Sequence, residues 1–179
     1  NLKDKLEDSH TKADDAVRIK IDQLFSSPRG PSPQFNYVVD DPGLKPDLER
    51  RRLSLESLLN DWRRSLDALG NASDFEAQSD AAKDHLKIIR VFADRSALAV
   101  SYLRPTTGLS QTAIDGYKSD VSSARTNINT ASSNLTAAVE KFRSASSGLT
   151  LEQSELALAE AGATAEEMAA EVAKLRQSE

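Results

Sequence analysis

The chain contains no cysteine, which excludes a disulfide scaffold, a thiolate metal site and a cysteine nucleophile. That absence suits an oxidising compartment, where a free thiol is a liability. Aromatic residues make up 5% of the sequence, and only seven of the 179 residues are glycine. Such a composition argues against an enzyme built round a deep, preformed pocket. No run of about 18 apolar residues occurs, so nothing in the sequence reads as a bilayer-spanning helix. No signal peptide is visible. The opening NLKDKLEDSHTKADDAV is already helical in pattern, and residue 1 is therefore read as a cut or processed end. An excess of positive charge is missing as well. The 28 acidic residues outnumber the 23 lysines and arginines, for a net charge of −5. Nucleic-acid binding needs clustered positive charge, so no nucleic-acid partner is expected.

What the sequence has is helical periodicity. Over 1–25, Leu6, Ala13, Val17, Ile21 and Leu24 share one face of a first helix. The acid-rich DKLED in its first turns suits the positive end of the helix dipole. Residues 26–45 form a proline-rich loop, in which FNYVV is the one candidate extended segment. The span 46–103 holds a second and a third helix. Pro46 suits a first helical turn, and Leu48, Leu55, Leu59, Trp62, Leu66 and Leu69 follow in heptad phase. Gly70 reads as a stop signal and Ser73 with Glu76 as a capping box. The third helix carries Phe75, Ala82, Leu86, Ile89, Ala93 and Val100, its stripe widened by Phe92, Ala99 and Tyr102. Residues 104–109 are a turn, ended by Ser110 as the cap of a fourth helix.

That fourth helix, 110–148, has the most regular pattern in the chain. Ile114, Tyr117, Val121, Ala124, Ile128, Ala131, Leu135, Ala138, Phe142, Ala145 and Leu149 alternate at three and four residues. Alanine on alternate seam positions brings helix axes close but buries little area per turn. Ser, Thr and Asn on the outer faces compete for backbone hydrogen bonds. They suit a helix that packs beside other helices through many small contacts. At Ser147–Thr150 the phase slips, and Thr150 with Gln153 fits a new capping box. Gly162, with Thr164 and Glu167, makes a further stop and restart, so 149–179 reads as a broken returning helix. The fold class is therefore all-α: an elongated antiparallel helical hairpin or four-helix bundle with coiled-coil packing over one domain, 1–179.

The sequence offers little chemistry. The two histidines, His10 and His85, lie on different helices. His10 and Asp14 sit one turn apart and read as a solvated face rather than a metal site, which needs more ligands. No Gly-x-Ser-x-Gly elbow and no phosphate-cradling glycine loop occur. An enzyme is not expected, nor is a cofactor. Glu49-Arg50-Arg51-Arg52 with Arg63 and Arg64 forms a basic stripe, read as a solvated face paired with neighbouring acids. Trp62 falls in seam phase and reads as core. Asn71-Ala-Ser73 and Asn134-Leu-Thr136 match glycosylation sequons, a pattern common by chance.

The stretches LRPTTGLSQTAIDGYKSDVSSARTNINTASSNL and LALAEAGATAEEMAAEVAKLRQ resemble the α-helical hairpin of HlyD-like periplasmic adaptor (membrane fusion) proteins of tripartite efflux and secretion systems. The likeness is firmest over about 90–179. The second stretch is similar to the family's Ala-Gly break and acidic restart, and GLSQTAID looks like the hairpin tip. In many adaptors the tip carries an arginine, a leucine four residues later and a serine seven after that. Leu103 and Ser110 have this spacing, but Ala99 stands where the arginine would be. The resemblance implies a non-enzymatic spacer in the periplasm, anchored to the inner membrane by segments outside this chain. Its partners would be an inner-membrane transporter of RND or ABC type, a TolC-type outer-membrane channel and further copies of itself in a ring. The implied contact residues are Leu103, Arg104, Thr106, Thr107 and Ser110. The rival expectation is an extracytoplasmic four-helix-bundle sensor domain of a chemoreceptor or related receptor, with the proline-rich loop as its ligand-binding element.

Overall fold

The computed structural model describes residues 1–69, 72–162 and 165–177, except for the side chains of 72–74, 160, 165 and 166. The stop expected at Gly70, the sequon asparagine Asn71, the Ser73 hydroxyl cap and the restart at Thr164 lie outside the described residues. The described chain is predominantly helical, as an all-α class requires. It divides into two units, Asn1–Val139 and Glu140–Glu179.

In the first unit, the helix expected over 1–25 changes pitch twice. An α-helix, α1, spans Leu2–Asp14. A π-helical segment follows over Asp15–Ile21, then a 3₁₀ turn over Asp22–Leu24. Leu6, Ala13, Val17, Ile21 and Leu24 are all fully buried despite the change of pitch. The proline-rich stretch is tied down at its base by two short strands. β1 (Phe25–Ser26) pairs antiparallel with β2 (Gln34–Phe35). The extended piece is thus Gln34–Phe35, which shares only Phe35 with the expected FNYVV, and Val38 is 90% exposed. Phe35 packs edge-on against Phe25 and Tyr37, and the Tyr37 hydroxyl is 2.8 Å from that of Tyr117.

The second helix, α2, spans Leu44–Asp67 with Pro46 in its first turn. Leu48, Leu55, Leu59, Trp62 and Leu66 are all buried, so the heptad-phase residues form the core as their spacing predicts. The third helix, α3, runs Ala72–Tyr102, and the fourth, α4, runs Gln111–Glu160. α3 and α4 are neighbours of opposite direction in this unit. Asp94 pairs with Arg125 at 2.6 Å, and one turn nearer the α3–α4 connection Val100 and Val121 line a common groove.

The seam of α4 is buried at Ile114, Val121, Ala124, Ile128, Ala131 and Leu135, but then at Val139 rather than Ala138. A straight α-helix has 3.6 residues per turn, and it drifts by about 20° per heptad from a 3.5 repeat. After several turns the next residue along has come round to the core. The small hydroxyl residues of the outer face bond to their own helix. Thr126 donates to the Ser122 carbonyl and Thr136 to the Ser132 carbonyl.

The second unit contains residues 140–160 of α4 and a fifth helix, α5, over Ala165–Gln177. The helix end expected at 148 does not occur. α4 continues through Gly148 to Glu160, and the Thr150 hydroxyl, expected to cap a new helix, donates to the Ser146 carbonyl inside the old one. One glycine costs a helix about 1 kcal/mol relative to alanine, too little to stop it among good helix formers. The stop comes at Gly162, whose φ of +74° supplies the left-handed residue that closes many helices. Leu149, Leu151, Leu156, Leu158, Met168 and Val172 are each about half exposed or more.

Candidate functional site

The turn between α3 and α4 contains the five residues proposed as a tip. α3 ends because Pro105 has no amide hydrogen to donate. Thr106 and Leu109 then exchange backbone hydrogen bonds at 2.9 and 3.2 Å, which puts Thr107 and Gly108 at the apex of a tight reversal. The Ser110 hydroxyl accepts the Ala113 amide at 3.1 Å, the N-cap role its position predicts. The Arg104 guanidinium lies against carbonyls at the end of α3 and just beyond it, 3.4 Å from that of Ser101 and 3.3 Å from that of Leu103. A cation there complements the negative end of the helix dipole.

The five residues thus differ in availability. Arg104, Thr106, Thr107 and Ser110 are exposed, but Leu103 is only 4% exposed and belongs to the core of the first unit. Ser110 is on the surface while its hydroxyl serves its own helix. The side chains free to meet another molecule are Thr106 and Thr107; Arg104 is exposed too, but its guanidinium is held by its own helix end.

The interface between the first helix and α2 holds a polar arrangement that the periodicity conceals, buried at His10, Asp22 and Arg52, half-buried at Asp14, Arg18 and Glu56, and exposed at Asn60. His10, Asp14, Arg18 and Asp22 recur every four residues and so lie along one face of the first helix. Arg52, Glu56 and Asn60 recur every four on α2. The two rows meet antiparallel. Arg52 donates to both oxygens of Asp22 and to Glu56, and Arg18 reaches Glu56 at 2.8 Å, Asn60 at 2.7 Å and Asp14 at 2.9 Å. Burial works against the Arg52 charge, but the bonds and charges of Asp22 and Glu56 outweigh it and raise its pKa above the ordinary value. Burial likewise opposes the Glu56 carboxylate, but its bond to Arg52 and the charges of Arg18 and Arg52 hold it below the usual carboxylate range.

Further along the same interface the two histidines flank the sole tryptophan. His10 stands edge-on to Trp62 with ring centres 5.2 Å apart, and His85 lies 5.1 Å away at a tilted angle. The His10 ring nitrogen Nε2 is 3.1 Å from the Leu59 carbonyl. His85 is pushed below its ordinary pKa by burial. Asp84 and Asp61 oppose that shift, and His10 adds to it. Reading His10 as a solvated residue is therefore corrected: it is 7% exposed. Two imidazoles on one indole do not make a metal centre, and among the described residues no group of three or more His, Asp or Glu could hold one.

The basic stripe of α2 is ion-paired, as expected, with one correction. Arg50 and Arg51 pair with Asp47, Arg63 with Asp67 and Arg64 with Asp61. Arg52, however, is fully buried and turned inward to Asp22. A charged run conceals such a residue, because only its place on the inner face distinguishes it from its neighbours. Set against protein-family models, curated proteins and solved structures, the chain matches none of them.

Proposed function

We propose that the chain is the helical domain of a periplasmic adaptor, a non-enzymatic spacer linking an inner-membrane transporter to an outer-membrane channel. The observation that carries the reading is the α3–α4 connection. Two long helices are joined by a reversal with Thr107 and Gly108 at its apex, and Arg104, Thr106 and Thr107 are presented around it. A tip of this kind meets its partner through a few exposed side chains, and each contact is weak until several copies act together. The partners are a transporter of RND or ABC type and a TolC-type channel, and the location is the cell envelope.

The test uses the full-length protein. Replacing Thr106 and Thr107 with glutamate should abolish efflux or secretion while leaving helicity and thermal stability unchanged. Normal transport in that double variant would remove the tip assignment. Leu103 and Ser110 are unsuitable probes, because one is core and the other is a helix cap.

A second reading, an extracytoplasmic sensor domain, is favoured by the first unit, where the first helix, α2, α3 and the start of α4 share one core. The sequence encoded on either side of this chain discriminates the two. Lipoyl-like β-rich halves belong to an adaptor, whereas two flanking apolar spans belong to a receptor.

A further inference from the structure

The outer face of α3 leaves Ile88 46%, Val91 43% and Leu98 37% exposed, with Arg95 between the last two. Ile88 also lines a groove of about 290 Å³ between α2 and α3. Leu55 and Phe92 form its floor, and Arg50, Arg51 and Ser54 its α2 side. Arg50, Arg51 and Arg95 all face one carboxylate, that of Asp47, at 2.6, 2.8 and 3.8 Å. One acid cannot compensate three guanidinium groups, so this apolar face carries surplus positive charge on a protein whose net charge is −5.

The opposite chemistry occurs in the second unit. Leu151, Leu156 and Leu158 are 61%, 59% and 69% exposed on α4. Glu152 and Glu155 lie among them, and no lysine or arginine occurs between Arg143 and Lys174. The spacing matches as well as the charge. Val91, Arg95 and Leu98 stand at i, i+4 and i+7, and so do Leu151, Glu155 and Leu158. At that spacing three residues share one helix face. Laid side by side in parallel, the two faces place apolar against apolar and Arg95 against Glu155.

We propose that the α3 face, centred on Arg95, docks the 151–158 turns of α4 from a second copy of the chain. The contact is between unlike faces, so each copy offers one of each and association continues past a pair unless a ring closes it. An anionic membrane is a poorer occupant, because the net negative charge of the chain opposes it and the groove is concave. Two helical turns bury far less than the roughly 1,000 Å² of a stable isolated pair. The association is therefore weak, concentration-dependent and weakened by salt. Copies in a ring are also what the adaptor reading implies, but this contact follows from the two faces and not from the α3–α4 turn, so its failure leaves the tip assignment standing.

Sedimentation velocity of the full chain, from micromolar to millimolar at low salt, tests it. The wild type should sediment faster as concentration rises. Arg95→Glu alone and Glu155→Arg alone should each stay monomeric with unchanged helicity, whereas an equimolar mixture of the two should associate again. A wild type that remains monomeric at millimolar concentration overturns the proposal. So do reversal variants that associate like the wild type. Binding of the monomer to phosphatidylglycerol vesicles, lost in Arg95→Glu, would assign the face to a membrane and also overturn it.

Discussion

The Arg52 guanidinium closes on the Asp22 carboxylate through two parallel hydrogen bonds, Nε to Oδ1 and Nη2 to Oδ2, with the arginine fully buried and the aspartate 7% exposed. Removing the carboxylate leaves the buried guanidinium only Glu56 as a counter-charge. Asp22→Asn should lower stability by up to about 3–5 kcal/mol. Arg52→Met combined with Asp22→Leu should recover much of that loss, since neither buried charge remains. Urea midpoints at unchanged m values measure both.

Acid should weaken the first unit in two stages. The folded pKa of His85 is depressed by burial, so the unfolded chain takes up the proton more readily. Its contribution is present above about pH 6.5, the ordinary histidine value, and is lost as pH falls through the lower folded value. Glu56 is also depressed, by its arginine partners, so its contribution is present above about pH 4.5, the ordinary value, and is lost as pH falls through the lower folded value. His85→Phe, which keeps a ring against Trp62 but cannot take a proton, should remove the first stage only. The fluorescence of Trp62 reports the first stage, because a protonated imidazole beside an indole quenches it, and urea midpoints measured across the pH range report both.

Gly116 lies on the exposed face of α4, where an added Cβ would meet nothing within 4 Å. Gly116→Ala should therefore stabilise the first unit by about 0.5–1 kcal/mol. A higher melting temperature by circular dichroism would show it.

The turn residues should separate by role. Ser110→Ala removes a helix cap and should cost about 1 kcal/mol. Leu103→Ala empties part of the core and should cost about 2–5 kcal/mol. Thr107→Ala, at an exposed apex, should stay within about 0.5 kcal/mol of wild type. Thermal melts of the three variants would rank them.

The helices were readable because burial imposes a period. The leucines of α2 and the alternation along α4 announce a core face, and Ser110 announces a cap. The sequence also contained the row His10, Asp14, Arg18, Asp22, but polar residues at helical spacing normally face water. Only the matching row on α2 shows that these face a second helix, and that pairing joins residues 30 or more positions apart. The phase slip at 147–150 misled for a different reason. Loss of the seam pattern marks where packing changes, not where the backbone stops hydrogen bonding, and α4 continues to Glu160. The burial of Leu103 was hidden because the last residue of a stripe looks the same whether it plugs a core or projects from it.

The π-helical segment makes the first helix tolerant of a change in length. Each of its hydrogen bonds spans one residue more than in an α-helix, so Asp15–Ile21 accommodates extra chain without breaking the run. Deleting a single residue there should therefore be absorbed: the segment returns to ordinary α pitch and Asp22 keeps its place opposite Arg52. The same deletion inside α2, which has no wide turns to give up, would rotate everything downstream by roughly 100°, the angle of one helical residue. The wide turns make this stretch a buffer for chain length, so a one-codon loss that would scramble the interface from the α2 side should pass almost unnoticed here.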